Sequence, residues 1–284
     1  MWGCHRSMDR CSSVHCTVCV QGYAPYRNNR GDLMDRLRTV IRISRSASAI
    51  LATRASAVVG IIIIPLFDIL FSLLLGSSLN ADNLVRIGYA SALLGIAVTT
   101  MSFMDQGIVY ARAAGVLQEV IQRRRFDTAY WAGTSATACA AGLAMGIIPF
   151  IGVFAFDTHH NTAALMLSLA AVPAALAVGA ALGLFTSGIG MLLPDPYAVS
   201  NAVSMLLPVT AGTVVPLHYY PWRIGTVLRF FPVSSIIQAV AGSGAFGRAV
   251  LIELIHTAVW AILGAACMGI AQRRLRSGKI PEIL

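Results

Sequence analysis

Six long apolar runs dominate this chain, and each is near the ~20 residues that a helix needs to cross the hydrocarbon core of a bilayer. They lie at about Ala55–Leu75, Ile87–Tyr110, Tyr130–Phe154, Ala163–Leu193, Ala198–Val215 and Val250–Ala271. Apolar residues make up 57% of the 284 residues and charged residues 12%, against roughly 45–50% and about 25% in soluble domains. The chain is therefore predicted to be an all-α membrane protein with six transmembrane helices.

The segment between the fifth and sixth runs carries an unusual set of prolines. A polar break at Pro194–Pro196 precedes the fifth run, and Pro216, Pro221 and Pro232 interrupt the apolar residues that follow it. This pattern predicts a re-entrant apolar hairpin between helices 5 and 6. Backbone that enters a membrane without crossing it is tolerated only where protein shields it. The hairpin could also be miscounted as a seventh span.

The net charge of +9 comes almost entirely from arginine, and Lys279 is the sole lysine. Thirteen basic residues lie in segments 34–54, 111–129 and 272–284, and four lie in segments 76–86, 155–162 and 216–249. Because basic residues concentrate on the cytoplasmic side, this asymmetry predicts that both termini are cytoplasmic. Membrane orientation explains the positive charge better than nucleic-acid binding does.

Residues 1–33 are polar and are predicted to form a disordered tail, with Met34 as an alternative start. Four cysteines lie there with two histidines, but only Cys16 and Cys19 have C-x2-C spacing. A zinc site usually needs a second such pair, so no metal site is predicted. Residues 34–54 combine spaced apolar residues with arginines, which favours an amphipathic helix at the cytoplasmic interface; a solvated juxtamembrane helix is the alternative.

Three acidic side chains, Asp68, Asp105 and Glu253, fall inside the apolar runs. Charges at membrane depth are costly and are often functional, so they are candidates for a substrate or proton path. Helix pairing and hydration at helix ends are the favoured interpretation, Asp105 being close to the cytoplasm. His256 shares a helix face with Glu253, three residues away. A metal-assisted enzyme could use Asp157, His159 and His160, but consecutive loop residues favour a solvated turn.

The chain contains no phosphate-binding loop. The pattern G-x-x-x-x-G-K-[ST] needs a lysine after its second glycine. Lys279 does follow Gly278, but Arg273 stands where the first glycine belongs and Ile280 follows the lysine. The chain is therefore expected to be non-catalytic by itself and to bind no cofactor.

Four segments within residues 40–275 resemble, in order and spacing, the permease subunits of type-two ABC exporters, in the drug- and antibiotic-efflux branch. They are the first-span motif PLFDILF with Leu75-Gly76, the segment GVLQEV at 115–120, the loop LPDPYAVSN at 193–201, and the stretch from Pro216 to Pro232. In that family the second segment forms a coupling helix that docks on the ATPase subunit. Leu117 and Val120 are three residues apart and would share a helix face, which suits docking in a partner groove; a plain inner loop is the alternative.

The resemblance implies that residues 34–284 form a six-helix transmembrane domain in the bacterial plasma membrane. It implies a homodimer or heterodimer of permeases with separate ATPase subunits, which would bind ATP and magnesium. The cargo would be an amphipathic drug, antibiotic or lipid-like molecule, exported by alternating access. The coupling residues would be Gly115, Val116, Leu117, Glu119 and Val120. A proton-coupled secondary transporter that uses the intramembrane acids is the alternative, and an integral membrane enzyme is a third class.

Overall fold

The computed structural model describes residues 41, 54–78, 83–115, 117–118, 120, 128–213, 219–240 and 245–277. Those residues form helices and short turns, and no strand occurs among them. The first helix, α1, comprises three consecutive segments at Arg54–Val58, Val59–Ile63 and Ile64–Ser78. The others are α2 (Leu84–Ala113), α3 (Thr128–Phe156), α4 (Thr162–Gly190), α5 (Ala198–Thr210), α6 (Trp222–Leu228), α7 (Ser234–Val240) and α8 (Phe246–Arg276).

Five of these helices, α1, α2, α3, α4 and α8, are long and apolar enough to cross a membrane. Their bounds lie within a few residues of the predicted first, second, third, fourth and sixth spans, so the sequence places them well. The predicted fifth span is different, because α5 has 13 residues. At 1.5 Å per residue it is about 20 Å long, which is shorter than the ~30 Å hydrocarbon core.

Several predicted features fall outside the described residues. They include the tail at 1–33 and the interface helix at 34–54, except for Ile41 and Arg54, which are helical. Val116, Glu119 and Pro216 are outside as well.

Two central helices, α2 and α4, organise the bundle. α4 packs along both α2 and α8, and α3 packs along α2 and less extensively against α4. Glycines let the backbones approach, as small residues do in membrane helices generally. A Cβ added at Gly179 of α4 would lie 2.5 Å from the carbonyl oxygen of Ala97 on α2, and one at Gly264 of α8 would lie 2.8 Å from the amide nitrogen of Phe185 on α4. By contrast, α1 and α8 leave most of their apolar surface exposed.

The helix α1 changes its winding in the middle. Residues Val59–Ile63 form a π-helical turn, in which the N–H of Ile64 donates to the carbonyl of Val59. Pro65 follows directly and has no N–H to donate. π-Helical turns within α-helices are frequent at functional sites, and this one leads into Asp68.

The described residues between α5 and α8 form two short helices, of which α7 packs against α8, α2 and α4. Pro221 immediately precedes α6, and Pro232 lies in the turn before α7, so both prolines mark helix boundaries. In α7, Ile236 packs among Tyr89 and Phe150, in a cluster at the end of the bundle where α2 begins. We call this the outer end, following the predicted orientation, and the end near Ala113 of α2 the inner end.

Candidate functional site

The structure gives the three intramembrane acids three different surroundings. Asp105 and Glu253 are almost completely buried, at 1% and 0% exposure, whereas Asp68 is exposed at the surface of the bundle. They share no hydrogen-bond partner among the described residues. Each acid is therefore described with its own surroundings.

Asp105 joins α2 to α4 through hydroxyl groups. Thr186 Oγ1 donates to its carboxylate oxygens at 2.8 and 3.0 Å, and Ser187 Oγ donates to Oδ1 at 2.5 Å. Ser200 of α5 lies near this carboxylate, and its hydroxyl donates to the carbonyl of Tyr197 at 3.1 Å. The sequence predicted a hydrated acid near the cytoplasm, and this is corrected: Asp105 is enclosed and its oxygens are bonded by protein hydroxyls. Buried polar groups need such partners, since an unmade hydrogen bond costs the full desolvation.

The loop between α4 and α5 covers this inner site. Arg112 Nη1 donates to the carbonyl of Met191 at 3.2 Å, which ties the inner end of α2 to the end of α4. Asp195 Oδ1 accepts from the N–H of Tyr197 and shapes the turn into α5. Burial raises the pKa of the Tyr197 hydroxyl, and the nearby carboxylates of Asp105 and Asp195 raise it further. The phenol therefore stays neutral beside the buried acid.

Glu253 holds the turn between α6 and α7. Its Oε1 accepts from the N–H of Val233 at 2.6 Å. Val233 has a φ of +73°, a conformation that a β-branched residue rarely adopts. Its other oxygen, Oε2, and Nδ1 of His256 make no hydrogen bond in the described part of the chain. Instead of pairing with Glu253, His256 lies beside the ring of Phe230, 6.3 Å between ring centroids.

Asp68 lines a cleft between α1, α2 and α3. The cleft is bounded by Ile64, Pro65, Asp68, Ile69, Ser91, Ala92, Gly95, Thr99, Met145, Gly146 and Pro149. Asp68 lies near the middle of a 24-residue apolar span. None of the described residues pairs with its carboxylate, in contrast to the enclosed carboxylate of Asp105.

The predicted coupling segment starts at a helix end. Gly115 has a φ of +72°, and its N–H donates to the carbonyl of Arg112 as α2 terminates. Leu117 is 1% exposed and packs with Ile108 and Met268 in the inner core, and Val120 packs against the same cluster. The expectation that Leu117 and Val120 form a free docking face is therefore corrected: their side chains anchor the segment to the bundle.

The outer loop between α3 and α4 is a structured turn. Asp157 is buried, with its carboxylate accepting from the N–H groups of Asn161 at 2.9 Å and His159 at 3.0 Å. These bonds, the one from Asn161 foremost, lower the pKa of Asp157. The prediction of a turn is confirmed, but this acid is not solvated. His160 Nδ1 lies 3.1 Å from the carbonyl oxygen of Phe154. Among the described residues, no cluster of His, Cys, Asp and Glu could hold a metal ion.

Three groups in these sites escape sequence reasoning. The hydroxyls of Thr186 and Ser187 are 81 and 82 residues from Asp105, and the main-chain N–H of Val233 carries no side-chain signal. The only available hint was the adjacent pair of hydroxyl residues in an apolar span. Comparison with protein-family models, with curated proteins and with solved structures finds no match to this chain.

Proposed function

We propose that this chain is the membrane-spanning permease subunit of an ATP-driven exporter of the type-two ABC class. Two permeases, identical or different, would enclose the path, and separate ATPase subunits would bind ATP and magnesium. An amphipathic drug, antibiotic or lipid-like molecule would be moved out of the cell by alternating access. The permease would lie in the bacterial plasma membrane with both termini in the cytoplasm.

The observation that carries this proposal is the fold of the chain between α5 and α8. Two short helices stand there, and α7 has its first residue, Ser234, and the preceding Val233 fully buried. The buried carboxylate of Glu253, seven residues into α8, binds that turn. Seven residues of α-helix correspond to about 10 Å. The turn at Val233 thus lies well inside the bundle, away from the outer end. From this turn α7 runs back toward the outer end, and this path supports a re-entrant hairpin.

The contacts of α5 support a sixth crossing. Near its start, Ser200 lies close to Asp105, toward the inner end of α2. Beyond its last turn, the carbonyl of Gly212 accepts from Arg86 Nη2 at 3.3 Å, near the outer end of α2. The short helix therefore extends between groups that lie 19 residues apart on α2. At the outer end, the long side chain of Arg86 spans part of the distance that the 13 residues of α5 do not cover.

The buried face of Leu117 moves the proposed ATPase contact to other residues. Ala114, Gly115 and Gln118 are exposed beside the buried Leu117. The amide side chain of Gln118 is exposed to a partner there, while Leu117 connects that surface to Met191 and Met268 in the core. A push on this segment would therefore be transmitted to α4 and α8, as an ATP-driven lever requires.

The test is transport in inside-out vesicles that contain this chain and an ATPase encoded beside it. We expect ATP-dependent uptake of an amphipathic dye that persists when a protonophore collapses the proton gradient, and co-purification of the two subunits. Uptake that needs no ATPase and is abolished by the protonophore would instead identify the proton-coupled secondary transporter. The enclosed hydrogen bonds of Asp105 and Glu253 favour the first outcome, because neither acid is open to water.

A further inference from the structure

Asp68 is a carboxylate near the middle of an apolar span, and within the described ranges it has no counter-charge. It stands near the centre of the span Ala55–Ser78, and no described residue donates a hydrogen bond to it or forms an ion pair with it. An uncompensated charge at this depth is costly, and acids retained there usually mark a ligand or ion pathway. The cost is removed when a cation with donor groups occupies the cleft.

The wall of the cleft opposite Asp68 carries polar groups on one face of α2. Ser91, Gly95 and Thr99 are spaced by four residues, so they lie above one another. No hydrogen bond from either hydroxyl is present in the described part of the chain. Between them, a Cβ added at Gly95 would meet no atom within 4 Å. The glycine therefore leaves open space between two hydroxyls with free hydrogen-bonding capacity.

The third wall adds an acceptor and apolar surface. Pro149 of α3 lines the cleft together with Met145. Because proline has no N–H, the carbonyl of Met145, four residues earlier, loses its usual helical donor. The remaining lining is apolar, with Ile64 and Ile69 on α1. The cleft thus combines hydrogen-bond acceptors and one negative charge with an apolar lining that faces the bilayer.

We infer that this cleft is a binding subsite for the ammonium group of an amphipathic amine. An ammonium carries positive charge and three N–H donors and no acceptor, which complements Asp68, the two hydroxyls and the free carbonyl. The open space beside Gly95 admits an alkylammonium, and the apolar body of the molecule lies against α1 and the lipid. That such an amine is the exported cargo rests on the proposed function; its binding does not.

The experiment measures binding of dansylcadaverine to the purified chain in phosphatidylcholine nanodiscs, without ATPase or nucleotide. The probe has a primary ammonium on a five-carbon tail and a dansyl group whose fluorescence rises in apolar surroundings. We expect saturable binding that is weaker by about tenfold or more for Asp68→Asn and for Gly95→Leu, and likewise for the neutral N-acetylated probe. Asp68→Glu should retain binding. Asp195→Asn, which removes a charge outside the cleft, should bind as the wild type does.

Equal binding of the charged and acetylated probes, or wild-type binding by Asp68→Asn, would overturn the subsite. So would a change of oligomeric state in Asp68→Asn with probe binding intact, because Asp68 would then face a second copy of the chain. Thermal unfolding of each variant shows whether lost binding reflects lost folding. If probe binding depends on Asp68 but no ATP-driven transport is found, the subsite is supported and the exporter proposal is rejected. If ATP-driven transport is found but probe binding does not depend on Asp68, the exporter proposal is supported and the subsite is rejected.

Discussion

Gly115 ends α2 in the left-handed region of the backbone map, with a φ of +72°. A Cβ there would meet no atom within 4 Å, so backbone strain alone decides the effect of a substitution. We expect Gly115→Ala to lower the free energy of unfolding by about 1–2 kcal/mol, and Gly115→Asn to cost less because asparagine tolerates this region. Unfolding in mixed micelles with increasing SDS measures both. An alanine variant as stable as the wild type would show that the helix ends differently.

Glu253 is expected to act as an acceptor for the turn that precedes α7. Glu253→Leu leaves the N–H of Val233 without a partner in a buried site, at a cost of about 1–3 kcal/mol. Glu253→Gln keeps an acceptor oxygen of the same reach and should retain most of the stability. The same SDS titration compares the two variants. If both are equally destabilised, the negative charge of Glu253, and not its bond to Val233, holds the hairpin.

At the scale of single residues, sequence reasoning located the important acids but misjudged their surroundings. Asp105 was recognisable because a carboxylate in an apolar run is rare. Its partners Thr186 and Ser187 were not, since a hydroxyl in a membrane helix commonly bonds its own backbone. The hydroxyl oxygens of both also lie within hydrogen-bond distance of carbonyls of α4. Which hydroxyls face an acid depends on how α2 and α4 rotate against each other, and weakly periodic apolar helices do not encode that rotation.

At the scale of elements, the segment after α2 gives the sharpest difference between sequence and structure. Leu117 and Val120 form an apolar stripe. Such a stripe predicts burial, but it does not specify which surface covers it. Here the chain's own core covers it, at Met191 and Met268. The five long helices, in contrast, were predicted within a few residues, because bilayer thickness fixes their length and hydropathy marks their ends.

Substitutions on the buried side and on the exposed side of the segment after α2 are expected to have separable effects. Leu117→Ala should destabilise the isolated permease by about 2–5 kcal/mol, as large-to-small changes in a packed core do. Gln118→Glu, on the exposed side, should leave unfolding unchanged and weaken recovery of the ATPase in a pull-down. Stability is measured on the permease alone, so the two readouts are independent. If Gln118→Glu captures the ATPase as the wild type does, the exposed side of this segment is not the docking surface.

At the scale of the whole molecule, the number of membrane crossings depends on whether α5 crosses. The positive-inside pattern predicts cytoplasmic termini, and an even number of crossings is required for that. Hydropathy indicated a fifth span of ordinary length, whereas the helix has 13 residues. The helix continues through Pro208 to Thr210, and the glycine at 212, with a φ of +71°, follows its end. A hydropathy profile reports apolar composition and does not record where the backbone stops winding.

Cysteine labelling decides whether α5 crosses the membrane. Asp195 and Tyr219 are exposed on either side of α5. In a background without native cysteines, a membrane-impermeant maleimide applied to intact cells should label Tyr219→Cys directly and Asp195→Cys only after permeabilisation. His159→Cys and Gln118→Cys, both exposed, provide the matched outer and inner controls around α3. The physical reason is the reach of α5 from Asp105 to Arg86, the two ends of α2. If Asp195→Cys and Tyr219→Cys label from the same side while the controls behave as expected, α5 does not cross, the chain has five spans, and its termini lie on opposite sides of the membrane.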